Sequence, residues 1–174
     1  MILYPNIDPV ALRINDFLQI RWYGLMYILA FAVFWLWMRL KTRQNSFWNG
    51  DILSDFIFYS ALGVLLGGRL GYILFYDLPH FWHEPMRLFK IWQGGMSFHG
   101  GLLGVFLSFL LFARRYQIPF LTLSDLAAPI VPVGLALGRL GNFINGELWG
   151  RPTEVAWGMV FPHVDALPRH PSQL

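Results

Sequence analysis

Four long apolar runs decide what this chain can become. A helix needs about 20 mostly apolar residues to cross the hydrocarbon of a bilayer, and the chain offers such runs over about 20–38, 51–75, 98–113 and 124–143. The first ends at Arg39, Lys41 and Arg43, and the third stops at Arg114 and Arg115. Asp51, after Asn49-Gly50, is the expected N-cap of the second run, and Thr122-Leu123-Ser124-Asp125 the capping cluster of the fourth. Pro129 and Pro132 lie inside the fourth run, where the missing N–H and the ring should kink the helix. The expected fold is all-α: one polytopic transmembrane helix bundle of about four spans, with an outer-facing segment over 144–174.

Composition narrows the class further. Only 13% of the residues are charged and 56% are hydrophobic, against a soluble average of roughly a quarter charged. The net charge of +3 does not mark a nucleic-acid partner, because the basic residues stand in short clusters between apolar runs. They act as topology signals. With both basic clusters in the cytoplasm, the N-terminus, the loop from Asp77 to Gly95 and the tail after Asn142 face outward. Arg87 and Lys90 in that outer loop run against the rule, but Asp77 and Glu84 accompany them. The opening MILYPNIDPVALRIND lacks the layout of a secretory signal, so the first run is expected to stay in the protein. There is no cysteine, and any thiol chemistry must use a substrate's sulfur.

Glycines at small-xxx-small spacing, Gly63/Gly67/Gly71, Gly100/Gly104 and Gly134/Gly138, predict close contacts for the last three spans. The tetrapeptide GRLG occurs at Gly68–Gly71 and again at Gly138–Gly141, too short a repeat to establish duplication. It places Arg69 and Arg139 roughly 25 Å and 20 Å along their spans at 1.5 Å per residue. Both then fall in the outer half of the membrane, as does His99 at the start of span three. An intramembrane arginine is unfavourable by about 2.5–3.5 kcal/mol on insertion scales, so it demands a function, a partner or a route to the interface. Two readings stay open for each arginine: a bidentate grip on a phosphate, or snorkelling and pairing with buried carbonyls. The glycines of GGMSFHGGLLG could likewise free helix-end N–H groups for an anion, or only let the chain turn while His99 caps the helix. A serine-hydrolase elbow is missed, because His99 rather than glycine follows Phe98. His80 and His83 beside Glu84 are too few for a metal site, and no metal or other cofactor is expected.

The densest polar stretch is GRLGNFINGELWGRPT, Gly138 to Thr153, at the outer end of span four. With RWYGLMY (Arg21–Tyr27), GGRLGYILFY (Gly67–Tyr76), GGMSFHGG (Gly94–Gly101) and RHPSQL (Arg169–Leu174), it resembles the signature blocks of the prolipoprotein diacylglyceryl transferases, in the same order and over nearly the whole chain. That resemblance implies a transferase of the bacterial inner membrane, its active site toward the periplasm, acting in the first step of lipoprotein maturation. Its implied partners are phosphatidylglycerol, the surrounding bilayer and prolipoprotein signal peptides with a lipobox cysteine. The thiol attacks the glyceryl carbon bearing the phosphate, a thioether forms, and glycerol phosphate leaves.

The resemblance marks Tyr23, His99, Arg139, Asn142, Glu147 and Gly150 as functional. Against that chemistry, His99 is the candidate base and Arg139 the group that stabilises the leaving phosphate, with Asn142 and Asn145 as neutral donors. Arg69 and Tyr76 complete the lipid-binding candidates, although tyrosines such as Tyr23 and Tyr76 also gather at membrane interfaces without a catalytic task. Glu147 either pairs with Arg151 or orients Arg139. Family members continue past RHPSQL into further charged helices, so the chain reads as an N-terminal part that is weakly active or inactive by itself. A transporter for an anionic solute or lipid is the alternative. A structural subunit would explain the glycines but not the polarity of Gly138–Thr153.

Overall fold

The structure of the protein is a computed structural model describing residues 2–15, 19–90 and 94–174. In chain order the elements are β1 (Ile2–Leu3), β2 (Val10–Arg13), β3 (Gln19–Arg21), α1 (Trp22–Thr42), α2 (Gly50–Tyr76), α3 (Leu78–His83), α4 (Phe98–Tyr116), α5 (Phe120–Ala127), α6 (Val131–Ile144), β4 (Met159–Val160) and β5 (Pro168–Arg169). Four helical stretches are long and apolar enough to cross a membrane: Trp22–Thr42, Gly50–Tyr76, Phe98–Tyr116 and Phe120–Ile144.

Two helix starts differ from expectation. The cap of α2 is Asn49, whose side chain accepts the Ile52 N–H at 2.9 Å. Asp51 instead sits in the first turn, where its charge favours the helix dipole. The fourth span starts at Phe120 behind Pro119, which leaves Thr122–Asp125 inside the helix. Proline suits this place because it needs no N–H there and cannot continue a helix from upstream. A 3-10 turn over Ala128–Ile130 then separates α5 from α6, the interruption expected of Pro129 and Pro132.

The chain forms two compact units, one of Phe34–Pro129 and one of Met1–Val33 with Ile130–Leu174. In the first, α2 and α4 run antiparallel with their backbones in contact. A Cβ added to Gly67 would lie 2.4 Å from the Gly100 carbonyl oxygen, and one on Gly104 would lie 2.0 Å from that of Gly63. Only glycine fits this seam, as the spacing predicts. Toward the other end the seam widens into aromatics, with the buried Phe56 ring 4.9 Å from both Phe109 and Phe112. The Tyr116 hydroxyl donates to the Asp55 carboxylate beyond them. The expected glycine face of span four is not used in this way: a Cβ at Gly134 or Gly138 meets nothing within 4 Å.

The second unit carries the strands. β1 pairs parallel with β4, which pairs antiparallel with β5, while β2 and β3 form an antiparallel hairpin. Tyr4, Phe143, Met159 and Phe161 make a buried cluster beside the sheet. The Tyr4 hydroxyl lies 2.8 Å from the carbonyl oxygens of both Phe143 and Ile144, and donates at the end of α6, where helix carbonyls run short of intrahelical partners.

Candidate active site

The C-terminal end of α6 gathers most of the sequence-marked residues. Arg139 is exposed, and its guanidinium has no hydrogen bond or ion pair among the described residues. Half a turn on, Gly141 receives the Tyr23 ring: a Cβ there would lie 2.8 Å from Tyr23 Cδ2. Tyr23 therefore sits against the backbone between Arg139 and Asn142. A second aromatic, Tyr27, lies 5.3 Å from the Tyr23 ring centroid. The helix ends as the Glu147 N–H returns to the Asn142 carbonyl at 2.9 Å, a turn that needs φ +67 at Gly146.

Glu147 accepts from the Asn145 amide at 3.3 Å. It pairs with neither Arg139 nor Arg151 among the described residues, which corrects both expectations for that carboxylate. Asn145 donates to Glu147, and its Oδ1 is buried without a hydrogen-bond partner among the described residues.

The tail returns to cover this turn. The Gly150 N–H donates to His170 O at 2.8 Å, Ser172 Oγ to Leu148 O at 2.7 Å, and the Gln173 amide to Glu147 O. A Cβ on Gly150 would stand 2.7 Å from His170 O, so Gly150 serves as a contact surface for backbone. Two sequence blocks about twenty residues apart, GELWG and RHPSQL, thus form one local structure. Arg169 braces it by donating to Gly150 O at 3.3 Å and by pairing with Asp165. The hydrogen bond from Arg169 holds the Asp165 carboxyl below the usual carboxylate range.

Sequence reading missed Tyr4, His163 and Gln173 as supports of this turn. His163 Nε2 lies 2.9 Å from Gly146 O, and Gln173 is 3% exposed. Gln173 was at least inside a recognisable block, whereas nothing in the pattern around Tyr4 or His163 signals their contacts.

In the other unit, His99 occupies the first turn of α4 and is exposed. Ser97 caps that helix, its Oγ accepting the Gly100 N–H at 3.2 Å, and the His99 imidazole makes no hydrogen bond among the described residues. Its ring neighbour is Phe98, 5.6 Å away edge-on. Tyr76 closes α2 with an exposed ring stacked on Tyr72 at 5.9 Å. In the loop after α3, Arg87 Nε stands 3.2 Å from Asp77 and Lys90 pairs with Glu84, so the two basic residues that run against the expected topology are locally neutralised.

Arg69 differs sharply from Arg139. It is 4% exposed, and its guanidinium donates to the carbonyls of Leu88, Gly94, Gly95, Arg87 and Lys90. A guanidinium has five N–H groups, and all are taken. The carbonyl-paired reading holds for Arg69, and its expected contact with a lipid phosphate does not fit this arrangement.

The family model for prolipoprotein diacylglyceryl transferase matches residues 9–174. The chain belongs to the prolipoprotein diacylglyceryl transferase family. Among its relatives, the phosphatidylglycerol–prolipoprotein diacylglyceryl transferase of Legionella pneumophila strain Paris is 61% identical, covering all of this chain and 68% of its own length. That of Bordetella bronchiseptica is 57% identical across all of this chain and 67% of its own length. The Nitrosomonas europaea protein of that name is 55% identical, with 63% of its length covered. Membership in a diacylglyceryl transferase family decides against the transporter and structural-subunit alternatives.

Proposed function

We propose that this protein moves the diacylglyceryl group of phosphatidylglycerol onto the lipobox cysteine of a prolipoprotein, at the periplasmic side of the bacterial inner membrane. The thiol gives its proton to a base and the sulfur lone pair forms a C–S bond to the glyceryl carbon. The C–O bond to phosphate breaks, and glycerol phosphate leaves with the electron pair.

Arg139 carries this reading: an unpaired guanidinium at the polar end of an apolar helix, inside the motif that marks the family. Negative charge grows on the phosphate as the C–O bond breaks. A guanidinium held against the departing phosphate stabilises that charge more in the transition state than in the bound lipid. Tyr23 and Asn142 flank the same stretch of α6 and add neutral hydrogen-bonding groups, while Asn145, Glu147 and Gly150 fix the turn that follows. His99 takes the thiol proton. A free thiol, with a pKa near 8.5, is mostly protonated at neutral pH, and an imidazole is the side chain whose ordinary pKa best suits the transfer.

The decisive experiment mixes membranes containing the full-length protein with phosphatidylglycerol labelled in its diacylglyceryl group and a lipobox peptide. Label should appear on the peptide as a thioether, with one glycerol phosphate released per peptide modified. Label that stays in intact lipid, with the peptide unchanged, overturns the proposal.

A further inference from the structure

One side chain of α2, Arg69, engages most of the loop that leads into α4. Among the described residues, the carbonyls that Arg69 engages are those of Arg87, Leu88, Lys90, Gly94 and Gly95, which lead into GGMSFHGG, with Gly95 O at 3.0 Å, Lys90 O at 3.2 Å and Leu88 O at 3.3 Å. Arg69 Cζ lies over the Tyr72 ring, 5.7 Å from its centroid. The same ring supports Gly95, where a Cβ would come within 2.5 Å of Tyr72 Cε1. Gly94 and Gly95 both have positive φ, +79 and +81, a conformation that lets two consecutive carbonyls turn toward one cation.

The next residues dock on α2 as well. The Ser97 N–H donates to Gly68 O at 2.9 Å, and Met96 Cε fills the place a Cβ on Gly68 would occupy, 2.6 Å from it. Ser97 then caps α4, and His99 follows two residues later. From Arg69 to His99 the linkage runs through backbone atoms and a helix cap, with no freely rotating side chain between.

We infer that Arg69 is a positioning residue for His99: it gathers the carbonyls of Arg87, Leu88, Lys90, Gly94 and Gly95 and so fixes the helix start that presents the imidazole, without touching the lipid. This rests on His99 serving as the base. Lysine cannot replace it, because an ammonium has three donors and no planar fork, against five carbonyls to satisfy. A displacement of about 1 Å at the reacting group costs on the order of 100-fold in rate, so the expected signature is a fall in kcat.

The test uses the full-length protein in phosphatidylglycerol vesicles, comparing wild type, Arg69→Lys, His99→Gln and the double variant, each normalised to folded protein by gel filtration in detergent. Arg69→Lys should lower kcat about 10- to 100-fold and leave KM for phosphatidylglycerol within about 2-fold. In the His99→Gln background the same change should cost less than about 2-fold, because both substitutions remove one contribution. Gly95→Ala, which pushes the same segment off Tyr72 while leaving Arg69 in place, should reproduce the kcat loss if Arg69→Lys does not fold. A raised KM with kcat unchanged would return Arg69 to the phosphate and overturn the inference. Full additivity with His99→Gln, or a fully active Gly95→Ala, overturns it too. If wild type transfers no diacylglyceryl group, or His99→Gln keeps the full rate, the underlying functional reading fails instead.

Discussion

Arg69 and Arg139 occupy the same position in the same tetrapeptide, yet one is enclosed by carbonyls and the other is unengaged. The difference predicts how each responds to lysine. At Arg139 the charge survives but the bidentate fork does not, so Arg139→Lys should lose transfer activity by at least about tenfold while the protein still folds; undiminished turnover by purified Arg139→Lys would remove the phosphate role. For His99, the acid–base role sets the sign of a pH effect. His99→Gln should be slowed most below neutrality, where the thiol keeps its proton, and should recover partly as the pH passes the thiol's ordinary value near 8.5. A rate loss of equal size at every pH points to positioning in place of proton transfer. The sequence exposed both arginines as costly and could not separate them. The partners of Arg69 are backbone carbonyls of a loop, and a carbonyl carries no residue identity to be read in advance.

Helix contacts were more legible, because the small-xxx-small spacing of Gly63, Gly67, Gly100 and Gly104 is itself the physical requirement for backbone approach. The same rule overreached at Gly134 and Gly138, where the space beside each glycine is open among the described residues. That contrast is testable. Gly67→Ala places a Cβ 2.4 Å from a backbone oxygen and should destabilise the protein by about 1–3 kcal/mol as the two helices are forced apart. Gly134→Ala should be neutral or slightly stabilising, since it adds helix propensity and meets nothing. Thermal unfolding in detergent compares them, and equal midpoints for the two variants would contradict the α2–α4 seam. The turn after α6 obeys a different logic. Its partner strand arrives from residues 168–173, in elements of two residues that are too short for any alternating pattern, so the sequence could supply the two motif blocks but not their contact. Gly150→Ala should loosen that contact, because its Cβ would press on the His170 carbonyl, and limited proteolysis of the 151–174 tail should speed up accordingly.

At the scale of the whole chain, β1 lies against β4 and Tyr4 stacks on Phe161 at 5.1 Å. Residues 2–4 and 159–161 must therefore share one side of the membrane. An even number of crossings lies between them, which agrees with the four helical stretches long enough to span. With the same parity, Arg39, Lys41, Arg43, Arg114 and Arg115 come out together on the opposite side, which the proposed orientation, following the positive-inside rule, puts in the cytoplasm. A sequence without cysteine makes the assignment easy to probe. A cysteine introduced at exposed Ala156 should react in intact spheroplasts with a membrane-impermeant maleimide. One at exposed Gln44, between α1 and α2, should react only after the inner membrane is permeabilised. The reverse pattern inverts the protein and puts Arg139 at the wrong leaflet for a periplasmic transferase. Labelling of both positions from outside would break the four-span count itself, and with it the parity that brings β1 to β4.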